Sequence, residues 1–282
     1  MEDSLLDVYE NFSSFWEHSL AHSDPRTKEW FLMQSPLPTL QLTALYLFLV
    51  YFGPMFMKNR SAFDCKLCLV IYNAFLVILN LYIFLELVIC STRAGYSYTC
   101  QKVVYSYEDN EYRIAKALWW YYISKCIEFM DTIFFILRKK NNQVSFLHVY
   151  HHATMFPLWW IGVKWVAGGC SFFGAQMNSF VHVVMYTYYG LSALGPAVQK
   201  YLWWKRYLTK LQLVQFVLGM AYALQSILLD CEFPLWMRWS LFFYSLSIMM
   251  LFLNFYYQAY MNTSRNKKSS SSNAAAVNKK HD

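Results

Sequence analysis

Val144-Ser145-Phe146-Leu147-His148-Val149-Tyr150-His151-His152, continued by Ala153-Thr154-Met155-Phe156-Pro157-Leu158-Trp159-Trp160, sets three imidazoles inside an apolar run. A helix through this stretch brings His148, His151 and His152 to one face, at i, i+3 and i+4. Burying one ionisable side chain in such a run is costly, and burying three is hard to explain by packing alone. His182, the fourth midchain histidine, lies in another apolar run about thirty residues on. These four imidazoles need polar company from other apolar helices.

The rest of the chain supplies such helices. Of its 282 residues 57% are hydrophobic and only 15% charged, which is too apolar for a soluble domain of this length. The expected class is an all-α polytopic membrane protein. A bilayer-spanning helix needs about twenty apolar residues. Seven stretches qualify: 38–57, 67–89, 115–137, 144–164, 171–192, 208–229 and 235–259. Residues 1–37 form a polar N-terminal segment, 38–260 the seven-helix domain and 261–282 a tail expected to be disordered. No apolar stretch follows Met1, so no signal peptide is expected. The seven cysteines are scattered, which excludes a dense disulfide scaffold, and Cys65-Lys66-Leu67-Cys68 lacks the context of a redox motif.

Seven spans put the termini on opposite sides, and the positive-inside rule chooses between them. With the N-terminus outside, the inner segments hold 15 Lys and Arg and the outer segments hold 8. The expectation is therefore a lumenal or extracellular N-terminus and a cytosolic C-terminus. On that topology Asn11-Phe12-Ser13 is a glycosylation sequon on the lumenal side. Lys279 and Lys280, third and fourth from a cytosolic C-terminus, resemble an endoplasmic-reticulum retrieval signal.

Polar residues converge in the middle helices. Lys125, Glu128 and Asp131 share one side of the third span. Asn178, His182, Tyr186 and Tyr189 lie on the fifth, and Gln212 and Gln215 at i, i+3 on the sixth. The topology brings Asp131, His148, His151 and Gln212 each within about two turns of the cytosolic surface, at roughly 1.5 Å per residue. A polar chamber open to the cytosol with an apolar interior beyond it suits an amphiphile with a charged head and an inserted tail. Arg138, Lys139, Lys140, Lys200, Lys205 and Arg206 rim that side as candidate phosphate partners.

Four blocks stand in order: Lys125–Thr132 as KxxExxDT, His148–His152 as HxxHH, His182–Tyr189 as HxxMYxYY and Thr209–Gln215 as TxxQxxQ. With these the chain resembles the ELO family of fatty acid elongases of the endoplasmic reticulum. Residues Arg138–Leu147 are similar to the animal branch acting on very-long-chain saturated and polyunsaturated acids. The resemblance implies a barrel of helices two to seven around an acyl tunnel, with helix one outside. It implies condensation of acyl-CoA with malonyl-CoA to 3-ketoacyl-CoA, CO₂ and CoA, with no cofactor beyond these substrates. It further implies a Cys100–Cys231 disulfide and His151 as the nucleophile. His182 would stabilise the enolate, and His148 and His152 would fix ring orientation. Asn178, Tyr186, Gln212 and Gln215 become candidate donors to substrate oxygens. Expected partners are acyl-CoA, malonyl-CoA, membrane lipid, the other enzymes of the elongation cycle and further elongase copies in a homo- or hetero-oligomer. No nucleic-acid partner is expected. The rival reading is a histidine-box, metal-dependent lipid oxidoreductase. Four membrane histidines suffice for one tetrahedral site but not for two irons.

Overall fold

The computed structural model describes residues 2–262, and these residues contain helices and connections but no strand. Helix α1 covers Glu2–Ala21, α2 Leu37–Met57 and α3 Lys66–Arg93. Helix α4 covers Asp109–Ile127, α5 Phe129–Leu137, α6 Phe146–Trp165 and α7 Ser171–Ala193. A short α8, Pro196–Gln199, precedes α9, Lys205–Leu228, and α10, Leu235–Tyr256. Local sequence explains several of the starts. Pro38 stands in the first turn of α2, where a missing N–H costs nothing. Asp109 and Glu111 complement the positive end of α4. Ser145 caps α6 by accepting from the His148 backbone N–H at 3.3 Å.

Helices stand at all seven apolar stretches. By length and composition four of them can cross a membrane: α2, α3, α9 and α10 with its continuation to Ala259. Buried Glu111 and Lys125 in α4, His152 and Lys164 in α6, and Asn178 and His182 in α7 lower the mean hydropathy of those helices, and α5, at nine residues, is too short to cross alone. Large apolar side chains such as Phe48, Phe56, Ile71, Ile78 and Phe243 face outward. In water that surface would drive association; in a bilayer it is solvated by lipid. The chain is a multi-pass membrane protein.

The third expected span, 115–137, is not one helix. It starts at Asp109 and breaks at Glu128, leaving α4 and α5 in tandem. The Tyr72 hydroxyl donates to the Ile127 carbonyl beside the break at 3.3 Å, replacing a helical bond. The first 37 residues also hold more structure than a polar tail. Helix α1 docks by Trp16, which stacks on Trp160 at 6.5 Å and meets Trp165 edge-on at 6.2 Å.

The packing partners close into a ring. Helix α4 packs on α3, α3 on α7, α7 on α9, α9 on α10, α10 on α6 and α6 on α4. Helix α2 lies outside the ring against α5 and α6.

The connections gather at two ends. At one, the Phe63 N–H donates to the Leu137 carbonyl at 3.0 Å and Lys139 Nζ to the Lys58 carbonyl at 3.1 Å. Arg206 Nε donates to the Tyr256 hydroxyl at 3.0 Å, which brings the start of α9 to the end of α10. Lys58, Arg60, Arg138, Lys139 and Lys140 lie in the connections there and Lys66 opens α3, so this is the basic end. At the other end Cys100 and Cys231 form a disulfide, Cα to Cα 5.5 Å, between the α3–α4 and α9–α10 connections. Cys170 Sγ lies 3.7 Å from Cys231 Sγ. Gly169, at φ +55°, closes this junction: a Cβ there would sit 2.9 Å from the Val103 nitrogen, so only glycine fits.

The strap between α1 and α2 is fastened at the disulfide end by a buried ion pair. Arg26 Nη2 meets Asp24 Oδ2 at 2.6 Å with both side chains fully buried. The same guanidinium donates to the Ala167 carbonyl at 2.8 Å and the Glu111 carbonyl at 3.1 Å. Asp24→Ala leaves that cation uncompensated, so we expect a loss of about 3–5 kcal/mol. A lowered Tm in detergent is the readout, and an unchanged Tm would remove the pair as the fastening.

Candidate active site

The site is built on the break between α4 and α5. Lys125 stands in the last turn of α4 and Glu128, at i+3, at the break itself, 2% and 0% exposed at the side chain. Burial of two charges requires that each be matched. Lys125 Nζ donates to Glu128 Oε1 at 2.8 Å and to Asn178 Oδ1 at 3.2 Å, and it lies 4.3 Å from the centre of the Tyr121 ring. Tyr121 donates its own hydroxyl to Asn178 Oδ1 at 2.6 Å. Both of these contacts use the oxygen of Asn178 and not its NH₂ group.

Helix α7 brings His182 to the same carboxylate. His182 Nδ1 lies 3.1 Å from Glu128 Oε1 and 3.4 Å from Lys125 Nζ. An ionised carboxylate only accepts, so the shorter contact puts the proton on Nδ1 and leaves Nε2 with its lone pair. One turn further along α7, the Tyr186 hydroxyl donates to Asp131 Oδ2 at 2.9 Å.

Helix α6 contributes the other three imidazoles as a contiguous set. The His148 and His152 rings are 4.4 Å apart between centroids, and His151 and His152 5.3 Å. His148 Nε2 meets the Thr132 hydroxyl at 2.7 Å. His152 is buried near the Tyr46 ring, 6.3 Å away. His151 differs from His148: its Nδ1 is buried and has no protein partner. Thr132 follows Glu128 by four residues, about 6 Å along one helix face. The partner of His148 and the partner of His182 are therefore neighbours, and the two histidine systems meet across the start of α5.

Residues 31–268 match the ELO: GNS1/SUR4 family. The chain belongs to the ELO family. It is 56% identical over 265 residues to mouse very long chain fatty acid elongase 4, covering 94% of this chain and 85% of that one. To the human elongase 4 it is 60% identical over 245 residues, 87% of this chain and 77% of the relative. To Xenopus laevis very long chain fatty acid elongase 5 it is 48% identical over 270 residues, 94% and 90% of the two chains.

In this ELO-family chain the remaining candidate residues stand apart from the histidines to different degrees. Gln212 Nε2 contacts the Met185 sulfur at 3.6 Å, and Gln215 Oε1 is buried without a partner. Tyr189 is partly exposed, its ring 6.0 Å from that of Tyr186. Lys140 and Lys205 are exposed at the basic end, and Arg138 is half-buried there. Lys139 and Arg206 are exposed and hydrogen-bonded as described above. Asn11 lies exposed on α1, and Lys279 and Lys280 fall outside the described residues. Among the described residues no group of three or more His, Cys, Asp and Glu side chains is arranged to hold a metal ion.

The histidines also have partners that sequence reasoning left without a role. Tyr121 sits at i−4 from Lys125, so helical spacing could have found it. Thr132 closes the first of the four blocks. Tyr46, on the helix outside the ring, left no signal in the sequence.

Proposed function

We propose that this chain catalyses the condensation step of fatty acid elongation: a long-chain acyl-CoA and malonyl-CoA give 3-ketoacyl-CoA, CO₂ and CoA. The observation that carries the reading is the contrast between the histidines. His148 and His182 each have one ring nitrogen held by a protein group, while His151 keeps a buried ring nitrogen uncommitted. A neutral imidazole in that condition is a nucleophile. His151 attacks the thioester carbonyl, the C–S bond breaks, and the imidazole proton leaves on the CoA sulfur. Malonyl-CoA loses CO₂, and its enolate carbon attacks the acyl-imidazole. The C–N bond then breaks, and a proton from solvent restores His151. His182, oriented by Glu128, and the Asn178 NH₂ are suited to hold the enolate or thioester oxygen. Tyr186, Tyr189, Gln212 and Gln215 line the approach.

The reading extends to the setting. Seven crossings, with α4 and α5 counted as one, agree with connections that alternate between the two ends of the ring. The disulfide end is lumenal, where an oxidising compartment maintains the cross-link. The basic end is cytosolic and meets the CoA phosphates through Arg138, Lys139, Lys140, Lys205 and Arg206. The acyl chain lies inside the ring. Asn11 carries a glycan, Lys279 and Lys280 retain the chain in the endoplasmic reticulum, and the product passes to a ketoreductase, a dehydratase and an enoyl reductase. The family match and the relatives' names favour this reading over a metal-dependent oxidoreductase.

Purified protein in detergent with a C18–C26 acyl-CoA series and malonyl-CoA is the test. Formation of 3-ketoacyl-CoA with equimolar CO₂ is expected. Oxidised or desaturated acyl product, or no product across the series, would overturn the reading.

A further inference from the structure

We infer that Thr132 and Tyr46 are positioning residues that set the tautomer of His148, so that α2, outside the ring, helps order the histidine cluster. The inference rests on the condensation reading above. The Tyr46 hydroxyl lies 3.0 Å from Thr132 Oγ1, and Thr132 Oγ1 lies 2.7 Å from His148 Nε2. Tyr46 and Thr132 are 2% and 1% exposed, so water does not compete for either hydroxyl. Tyr46 is itself held by stacking on Phe129, 4.3 Å between ring centres and 14° between planes.

Two hydroxyls and one imidazole nitrogen in a row satisfy each other best in one direction. If Tyr46 donates to Thr132 and Thr132 donates to His148 Nε2, both hydroxyl protons are used and the nitrogen lone pair is matched. In the opposite direction, with the proton on Nε2 and Thr132 donating to Tyr46, the tyrosine proton is left over in a dry site. An unmatched buried donor costs about 1–3 kcal/mol. The favoured direction keeps His148 neutral with its proton on Nδ1. The second ring nitrogen of a histidine determines what the first can do. The His148 ring lies 4.4 Å from that of His152, tilted by 58°, and His152 in turn adjoins His151. A fixed His148 thus fixes the surroundings of the nucleophile without touching substrate.

The test is steady-state kinetics of full-length Thr132→Val, Thr132→Ser, Tyr46→Phe and the Tyr46→Phe/Thr132→Val double variant. Thr132→Val preserves shape and removes the hydroxyl. Its kcat is expected to fall about 10- to 100-fold, as for other supports of a reacting group, with the acyl-CoA KM unchanged within about twofold. Thr132→Ser restores kcat to within about threefold, and Tyr46→Phe alone costs about three- to tenfold. The double variant is no slower than Thr132→Val alone, because both changes break one chain. Independent roles for the two hydroxyls would instead make the two losses multiply. Multiplying losses, Thr132→Val within about twofold of wild type, or no rescue by serine would each overturn the inference. If Thr132→Val does not fold, an unchanged kcat in Tyr46→Phe overturns it. Wild-type protein that makes no 3-ketoacyl-CoA would overturn the condensation reading itself, and the inference with it.

Discussion

His151→Ala is expected to lose condensation by at least about 10⁴-fold while the protein still folds and inserts. The imidazole is replaced by a methyl group, so no acyl-enzyme can form and the two-step route closes. The fold should tolerate the change, because His151 Nδ1 has no protein partner to orphan. Glu128 contrasts with it, since removing that carboxylate strands Lys125. Elongation by His151→Ala within about tenfold of wild type, measured with unchanged Tm, would remove His151 from the chemistry. His152→Ala is the useful companion. His152 is buried between His148 and His151 and near Tyr46, so its loss should lower Tm as well as activity.

The second large effect is expected at Glu128. Glu128→Gln keeps the size of the side chain and removes its charge. Two donors meet Glu128 Oε1, Lys125 Nζ at 2.8 Å and His182 Nδ1 at 3.1 Å. Without the carboxylate, Lys125 is a buried cation with no counter-charge within hydrogen-bond reach, and His182 loses the acceptor that holds its proton on Nδ1. The stability loss should be about 3–5 kcal/mol, and kcat should fall by about 10²–10³-fold. The two consequences separate in a double variant. Lys125→Met/Glu128→Gln removes the stranded cation, so Tm should recover most of its value while kcat stays low. Recovery of kcat together with Tm would assign the pair to holding α4 and α7 together and nothing more.

The polar centre of this protein was legible because an apolar chain leaves few places for charge. His148, His151, His152, Lys125, Glu128 and His182 stand out of their runs, and helical spacing put Lys125 and Glu128 on one face. The break at Glu128 was not legible. It depends on Tyr72 of α3 accepting the role of a helical donor to Ile127, a long-range event that no local pattern announces. Tyr46 was hidden for a related reason. In an apolar helix a tyrosine turned inward reads the same as Tyr51, which faces outward at 69% exposure. Helix α1 escaped notice because its apolar positions are interrupted by acids, and its docking rests on its own Trp16 meeting Trp160 and Trp165 of the distant α6. Seven cysteines do not choose their own partners. Cys100–Cys231 entered through family resemblance, and the neighbouring Cys170 sulfur at 3.7 Å from Cys231 shows how little geometry separates the bonded thiol from the free one.

Passage of an acyl group through His151 requires a covalent acyl-enzyme. Intact-protein mass spectrometry after incubation with a long-chain acyl-CoA, without malonyl-CoA, reads this directly. A mass gain of one acyl group is expected, located on the peptide containing His151, absent in His151→Ala and discharged when malonyl-CoA is added. An unmodified enzyme that nevertheless condenses both substrates at the wild-type rate would contradict the covalent route and leave the histidines as acid–base groups in a direct condensation.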